Sequence, residues 1–289
     1  MGVDLGGTDH WAFQPLAKPE IPVVRDHDWP RNAIDHFILA KLEQLKIPPP
    51  QAAGEAVLKR RLAFGLVGLP PSEKTTGNTL QQQVEALLAS PHYGEKWARH
   101  WLDLVRYGDT NGYEKDFLKP LVYKYRDYVI RAFNNDKPYD RFLQEQIAGD
   151  VLWPDDPDAV VATGFLAAGP WDFVGQVETK SPILRRSARA LELDDMMTQV
   201  MTATTAMTVN CARCHDHKID TIPQEDYYRL TAVFAGLKRG SRNISDAAVA
   251  QHINRKQAIE DKLSHTQFAI RQLEGRGVDL ADVVGGGNG

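Results

Sequence analysis

Cysteine is scarce: Cys211 and Cys214 are the two among 289 residues, so no disulfide framework holds this chain. A bond between them would close a loop too tight to constrain the unfolded chain. Long apolar runs are missing as well, and no stretch approaches the roughly 18 residues of a membrane-spanning helix. Neither sign of charge dominates: 34 Lys and Arg face 38 Asp and Glu, for a net charge of −4. The two signs are interspersed, which excludes the basic footprint of a nucleic-acid binder and the basic amphipathic helix of a membrane-surface protein. What remains is enough chain for one large or two smaller domains around a buried core.

Both cysteines fall in one run, Cys211-Ala212-Arg213-Cys214-His215. This C-x-x-C-H pattern lets two thiols add across the vinyl groups of a haem while the following histidine ligates the iron. Two intervening residues on a helical turn set the sulfurs at neighbouring edges of one macrocycle, and His215 falls under the iron. The expected cofactor is therefore one covalent haem c, bound by Cys211, Cys214 and His215. Other chemistries compete. A thioredoxin-like redox pair needs a preceding strand, which Met207 to Asn210 is too short to form. A zinc site from Cys211, Cys214 and His215 or His217 lacks a second ligand cluster to complete four donors.

A six-coordinate iron takes a second axial ligand, for which a methionine or another histidine is usual. The candidates are Met196 and His100, then another methionine such as Met201 or Met207; an open position is the alternative. His217 is too near His215 in sequence to reach the opposite ring face, and is expected to serve a propionate or a neighbouring haem. Arg213 and Lys218 form a basic rim for a partner protein or the propionates.

The residues after the motif continue Asp216-His217-Lys218-Ile219-Asp220-Thr221-Ile222-Pro223-Gln224-Glu225-Asp226-Tyr227-Tyr228. With Ser90 to Leu104 (S-P-H-Y-G-E-K-W-A-R-H-W-L-D-L), Tyr125 to Asn134, His10 to Pro15 and Gly68 to Pro71, this resembles the cytochrome c-like domain of unknown function found in large planctomycete proteins. The resemblance runs over residues 10 to 240 and implies a secreted, multi-domain setting. The chain departs from it at Lys74 to Asn78, where a longer acidic helix is expected.

The hydrophobic pattern is helical almost throughout. Ile34, Phe37, Ile38, Leu42 and Leu45 predict a helix over 31–46, and two more are expected over 55–67 and 79–89. Ser90 and Pro91 mark the start of another, with Trp97, Trp101, Leu104 and Val105 as its apolar stripe and Gly108 as its stop. His100 lies on that stripe and is expected to be buried. Asp109 to Asp116 places oxygen ligands around Gly112 without the terminal Glu of a calcium loop, so a solvated turn is expected. Helices are predicted over 121–134, 138–148, 185–208, 224–235 and 245–274, with an irregular stretch over 150–183. Trp153, Trp171, Asp172 and Phe173 in that stretch are candidates for a substrate groove.

The fold expected is mainly α: an irregular helical domain with long ordered loops and a coiled-coil-like C-terminal helix. The division is an extended arm over 1–30 rich in proline, a cytochrome c-like domain over 31–240, and a helical spacer with a Gly-rich linker over 241–289. Met1 to Thr8 has no basic or apolar signal region, whereas haem attachment to C-x-x-C-H takes place outside the bacterial cytoplasm. The start therefore reads as a fragment boundary and the location as periplasmic or cell-surface. The expected function is electron transfer or redox support within a larger extracytoplasmic protein, with a redox partner protein or adjacent domains. The alternatives are a haem enzyme with an open iron position and a scaffold with a structural haem or metal.

Overall fold

Helix-forming periodicity dominates the sequence, and the computed structural model, which describes residues 14–72, 79–241 and 246–274, is built of helices. In order they are α1 (Ala33–Gln44), α2 (Glu55–Leu66), α3 (Leu80–Leu88), α4 (Pro91–Leu104), α5 (Tyr123–Asn134), α6 (Tyr139–Leu152), α7 (Pro157–Ala162), α8 (Pro182–Thr205), α9 (Gln224–Phe234) and α10 (Asp246–Glu274). The extended pairing among the described residues is a single bridge between Thr110 and Leu118. The protein is mainly α. His10 to Phe13, Lys74 to Asn78 and the Gly-rich tail lie outside the described residues.

The chain divides into two units, Met1–Tyr139 with Leu166–Leu237, and Asp140–Phe165 with Lys238–Gly289. The core of the first is the pairing of α4 with α5. Ser90 caps α4 by accepting from His92 N, with Pro91 at the first helical position, as the sequence predicts. The buried face of α4 is Gly94, Ala98 and Trp101, continued by Val105. Gly94 lets the helices touch: a Cβ there would stand 2.4 Å from Ile130 O, and its own N–H donates to Asn134 Oδ1 at 2.8 Å. Across the interface, Trp101 Nε1 donates to the Tyr125 hydroxyl at 3.0 Å, and Tyr128 and Val129 are fully buried. Satisfying that indole and phenol inside the core removes the cost of burying them.

Two expectations about α4 are corrected. His100 is exposed, its ring tilted against Trp97 with centroids 5.6 Å apart, because the helix turns its Ala98–Trp101–Val105 edge inward. The helix also stops before Gly108. Arg106 takes a left-handed backbone, φ 52°, and its guanidinium spans both carboxylate oxygens of Asp195 on α8, at 2.5 and 3.0 Å, and Gln199 Oε1 at 2.9 Å. A bidentate pair from 89 residues away holds a conformation that a glycine would adopt freely.

The stretch over 150–183 is more ordered than the sequence suggests. It holds α7, a 3₁₀ turn over Thr163–Ala167 and a π-helical turn over Val174–Glu178. Short caps account for this: Asp156 accepts from Asp158 N and Ala159 N to start α7, and Asp172 accepts from Gly175 N at 2.7 Å. Trp171 and Phe173 pack edge-to-face at 5.6 Å, and Phe173 meets Phe117 at 5.4 Å. These rings bind one another. In the other unit Trp153 lies 3.2 Å beneath the Arg141 guanidinium. The loop at Asp109 to Asp116 closes on itself: Asp116 Oδ1 accepts from Gly112 N at 2.7 Å, and Asn111 N bonds Phe117 O at 2.9 Å.

Candidate functional site

Helix α8 brings the chain to the cysteine motif. It ends on Ala206, whose left-handed backbone (φ 57°) reverses the chain toward Val209. Val209 and Ala212 are fully buried and plug the motif into the body. Between them begins a 3₁₀ turn, Asn210–Arg213, and the N–H groups of Cys214 and His215 both bond back to Cys211 O, at 3.3 and 3.4 Å. The motif is therefore one tight turn, with its sulfurs and imidazole as successive projections.

The positions between the ligands anchor it. Asn210 Nδ2 donates to Thr198 Oγ1 on α8 at 2.7 Å. The Arg213 carbonyl accepts from Gln224 Nε2 and from the Tyr228 hydroxyl, both on α9 and both at 3.1 Å. The Arg213 guanidinium lies 3.7 Å from Asp194, whose carboxylate also accepts from the buried Tyr227 hydroxyl. Burial, then the Asp194 carboxylate, pushes Tyr227 above the ordinary phenol range, so it stays a donor at neutral pH. Asp216 Oδ1 accepts from Gln224 N at 2.8 Å and so caps the start of α9.

Against this anchoring, the three residues that carry chemistry are left outside. Cys211 and Cys214 are exposed free thiols, and His215 is exposed. His215 Nδ1 lies 2.7 Å from Asp216 O; a carbonyl only accepts, so Nδ1 carries a proton, and in the neutral ring the lone pair is then on Nε2. That is the state of a metal-ligating imidazole with a backbone carbonyl behind it. Two accessible thiols two residues apart, followed by an imidazole with a free Nε2, fit the covalent attachment and axial ligation of a haem. Among the described residues no group of three or more His, Cys, Asp and Glu side chains is arranged to hold a bare metal ion.

The other expected ligands stand elsewhere. His217 is turned into its own loop, its side chain 6% exposed, and Nδ1 accepts from Asp220 N at 2.9 Å and Ile219 N at 3.3 Å. With Nδ1 accepting, the neutral ring carries its proton on Nε2, which leaves no lone pair for a metal. His217 is the clasp of the 217–222 loop, which its N–H also closes onto Ile222 O at 2.9 Å. Met196 is buried on α8, about 160° around the helix from both Asp194 and Thr198, which hold the motif. The face toward α9 belongs to Met197, whose sulfur is 3.8 Å from the Thr231 hydroxyl. His100 lies on the outer face of α4 against Trp97. None of the three is brought to His215 by a hydrogen bond, ring contact or ion pair of those described here.

Sequence reasoning missed Asp194, Thr198, Gln224, Tyr227 and Tyr228 as supports. The signal available was their helical spacing on either side of the motif: Asp194 and Thr198 lie four apart on α8, and Gln224, Tyr227 and Tyr228 share one face of α9. No curated protein and no solved structure matches the chain. Residues 33–239, from the start of α1 to just past α9 and including the whole cysteine turn, match the model of PSCyt2, a protein family of unknown function (DUF1549), and the chain belongs to that family.

Proposed function

We propose that the turn at Cys211, Cys214 and His215 is the covalent attachment and axial site of one c-type haem, and that the protein is a redox module of a larger extracytoplasmic protein. The observation that carries this reading is the division of labour within five residues: Ala212 and Arg213 fasten the turn, while Cys211, Cys214 and His215 are exposed. The resemblance to the cytochrome c-like domain of planctomycete proteins, spread over several long motifs, supports it. When bound, the group supplies a one-electron iron couple.

The chain's own residues would do the following. The Cys211 and Cys214 sulfurs form the thioethers, and His215 Nε2 ligates while Asp216 O orients the ring from behind. Arg213, paired with Asp194, fixes the attachment turn against α8. Met196 and His100 face elsewhere, so the residues of this chain that would hold the group are Cys211, Cys214 and His215. A partner redox protein or neighbouring domain exchanges electrons at the exposed turn.

The test is production of the whole chain, behind a secretion leader, in a host with c-type haem maturation. Haem should stay attached through denaturing electrophoresis in the unmodified chain and in His215→Ala, and should be lost in Cys211→Ala with Cys214→Ala. Undiminished covalent haem in that double variant would overturn the proposal.

A further inference from the structure

We propose that the loop over 113–124 and the start of α8 form one surface that docks this protein on an anionic lipid bilayer. The two segments are fastened together in the fold: Lys115 pairs with Glu178, 63 residues away, and the rings of Phe117 and Phe173 meet edge-to-face at 5.4 Å. Arg185 Nη2 donates to Thr179 O at 2.7 Å and so ties the first turns of α8 to the end of the Val174–Glu178 turn.

Large apolar side chains stand on the outside of both segments. Phe117, Leu118 and Leu121 on one, and Val177, Ile183 and Leu184 on the other, are each at least half exposed, Leu118 reaching 75% and Ile183 70%. Every residue over 182–187 is exposed, so the opening of α8 projects from the body instead of walling a groove. A projecting apolar cluster of this kind gains by entering a soft apolar medium.

Charge selects the medium. Residues 113–124 and 177–191 hold seven Lys and Arg against three Asp and Glu, in a chain where acids outnumber bases by 38 to 34. Of those three carboxylates, Glu178 is paired with Lys115, and Asp116 accepts from Gly112 N at 2.7 Å. From Thr179 to Leu191 there is no acidic residue, and Lys180, Arg185 and Arg186 flank Ile183 and Leu184. Apolar side chains ringed by cations fit the boundary between acyl chains and phosphate headgroups, where each cation adds attraction to an anionic leaflet. Neither segment alone is a basic amphipathic helix, so the mixed charge of the sequence conceals a surface that exists once the two are joined.

The proposal is independent of haem and is tested on the whole chain by pelleting with lipid vesicles at low salt. A chain of net charge −4 has no general attraction for an anionic surface, so binding reports the local patch. The protein should pellet with vesicles of phosphatidylglycerol and phosphatidylcholine, stay in solution with phosphatidylcholine alone, and be released as salt is raised. Ile183→Ser with Leu184→Ser, and Arg185→Glu with Arg186→Glu, should each weaken binding at least about fivefold. Both pairs are exposed, so the helical far-ultraviolet signal should be kept. Lys59→Glu, on α2, should change binding by less than about twofold. Protein left in solution with both kinds of vesicle would overturn the proposal and leave the surface to an acidic partner protein. Equal pelleting with both kinds, undiminished binding in either double variant, or a loss in Lys59→Glu as large as in the arginine pair would also overturn it.

Discussion

Glu145 holds its carboxylate at 1% side-chain exposure because Arg141, one helical turn away, donates to it at 2.6 Å and bridges on to Asp156 at 3.4 Å. Leaving a buried charge wholly unpaired costs about 3–5 kcal/mol, whereas an exposed pair is worth at most about 1. Glu145 keeps other contacts, so Arg141→Leu should lower the free energy of urea unfolding by about 1–3 kcal/mol. Arg229→Ala, in an ion pair 66% and 72% exposed, should change it by less than about 0.5. Equal effects from the two would contradict the burial argument. At this scale the sequence discloses the chemistry and hides its supports. The C-x-x-C-H spacing is local and readable, whereas Asp194, Thr198, Gln224 and Tyr228 become neighbours of the motif only once α8 and α9 flank it. His217 reads as a group for a propionate or a neighbouring haem until the fold turns its Nδ1 onto the Ile219 and Asp220 amides.

The helices sit close to where periodicity and capping residues place them, because Ser90, Thr79 and Asn32 mark their own helix starts by side-chain bonds to the first turn. Their ends were harder to read. Lys46, Arg106, Asp136 and Ala206 all take left-handed backbones at or just beyond helix ends without being glycine. For Arg106 the compensation is a distant ion pair with Asp195, which no local pattern announces. The buried stripe of α4 is only half legible for a related reason: small Gly94 and Ala98 line the interface beside Trp101, so large residues alone do not mark the inward face. Gly94→Ala tests that contact. Its Cβ would meet the Ile130 carbonyl at 2.4 Å and the Asn134 side chain at 2.6 Å, forcing α4 and α5 apart. A loss of about 2–3 kcal/mol is expected in denaturant unfolding, against the slight gain that alanine brings inside an exposed helix. A neutral or stabilised variant would show that the helices do not approach this closely.

At the scale of the molecule, Leu39, Val105, Tyr128, Val129, Met197 and Val209 are among the most buried of the described residues, and the cysteine turn stands at the surface. The core also predicts how the protein fails in alkali. Burial raises Tyr125 above the usual phenol range, while burial and then the Asp109 and Asp194 carboxylates raise Tyr107 and Tyr227. A folded value above the unfolded one, about 10, means that the unfolded chain loses these protons first. Their contribution is complete below about pH 10 and falls as pH rises through the folded values, so thermal stability should drop steeply above that point. A melting temperature that stays level from neutral pH into strong alkali would contradict these burials.

This helical body is proposed to present Cys211, Cys214 and His215 to one covalent haem. The measurement that tests this most directly is the intact mass of the chain purified from a host with c-type haem maturation, paired with its reduced alkaline pyridine spectrum. The expected result is a mass greater by one haem and the band of a haem bound through two thioethers. A folded protein at the mass of the bare chain, with no such band, would contradict it and return the two thiols to metal or redox chemistry.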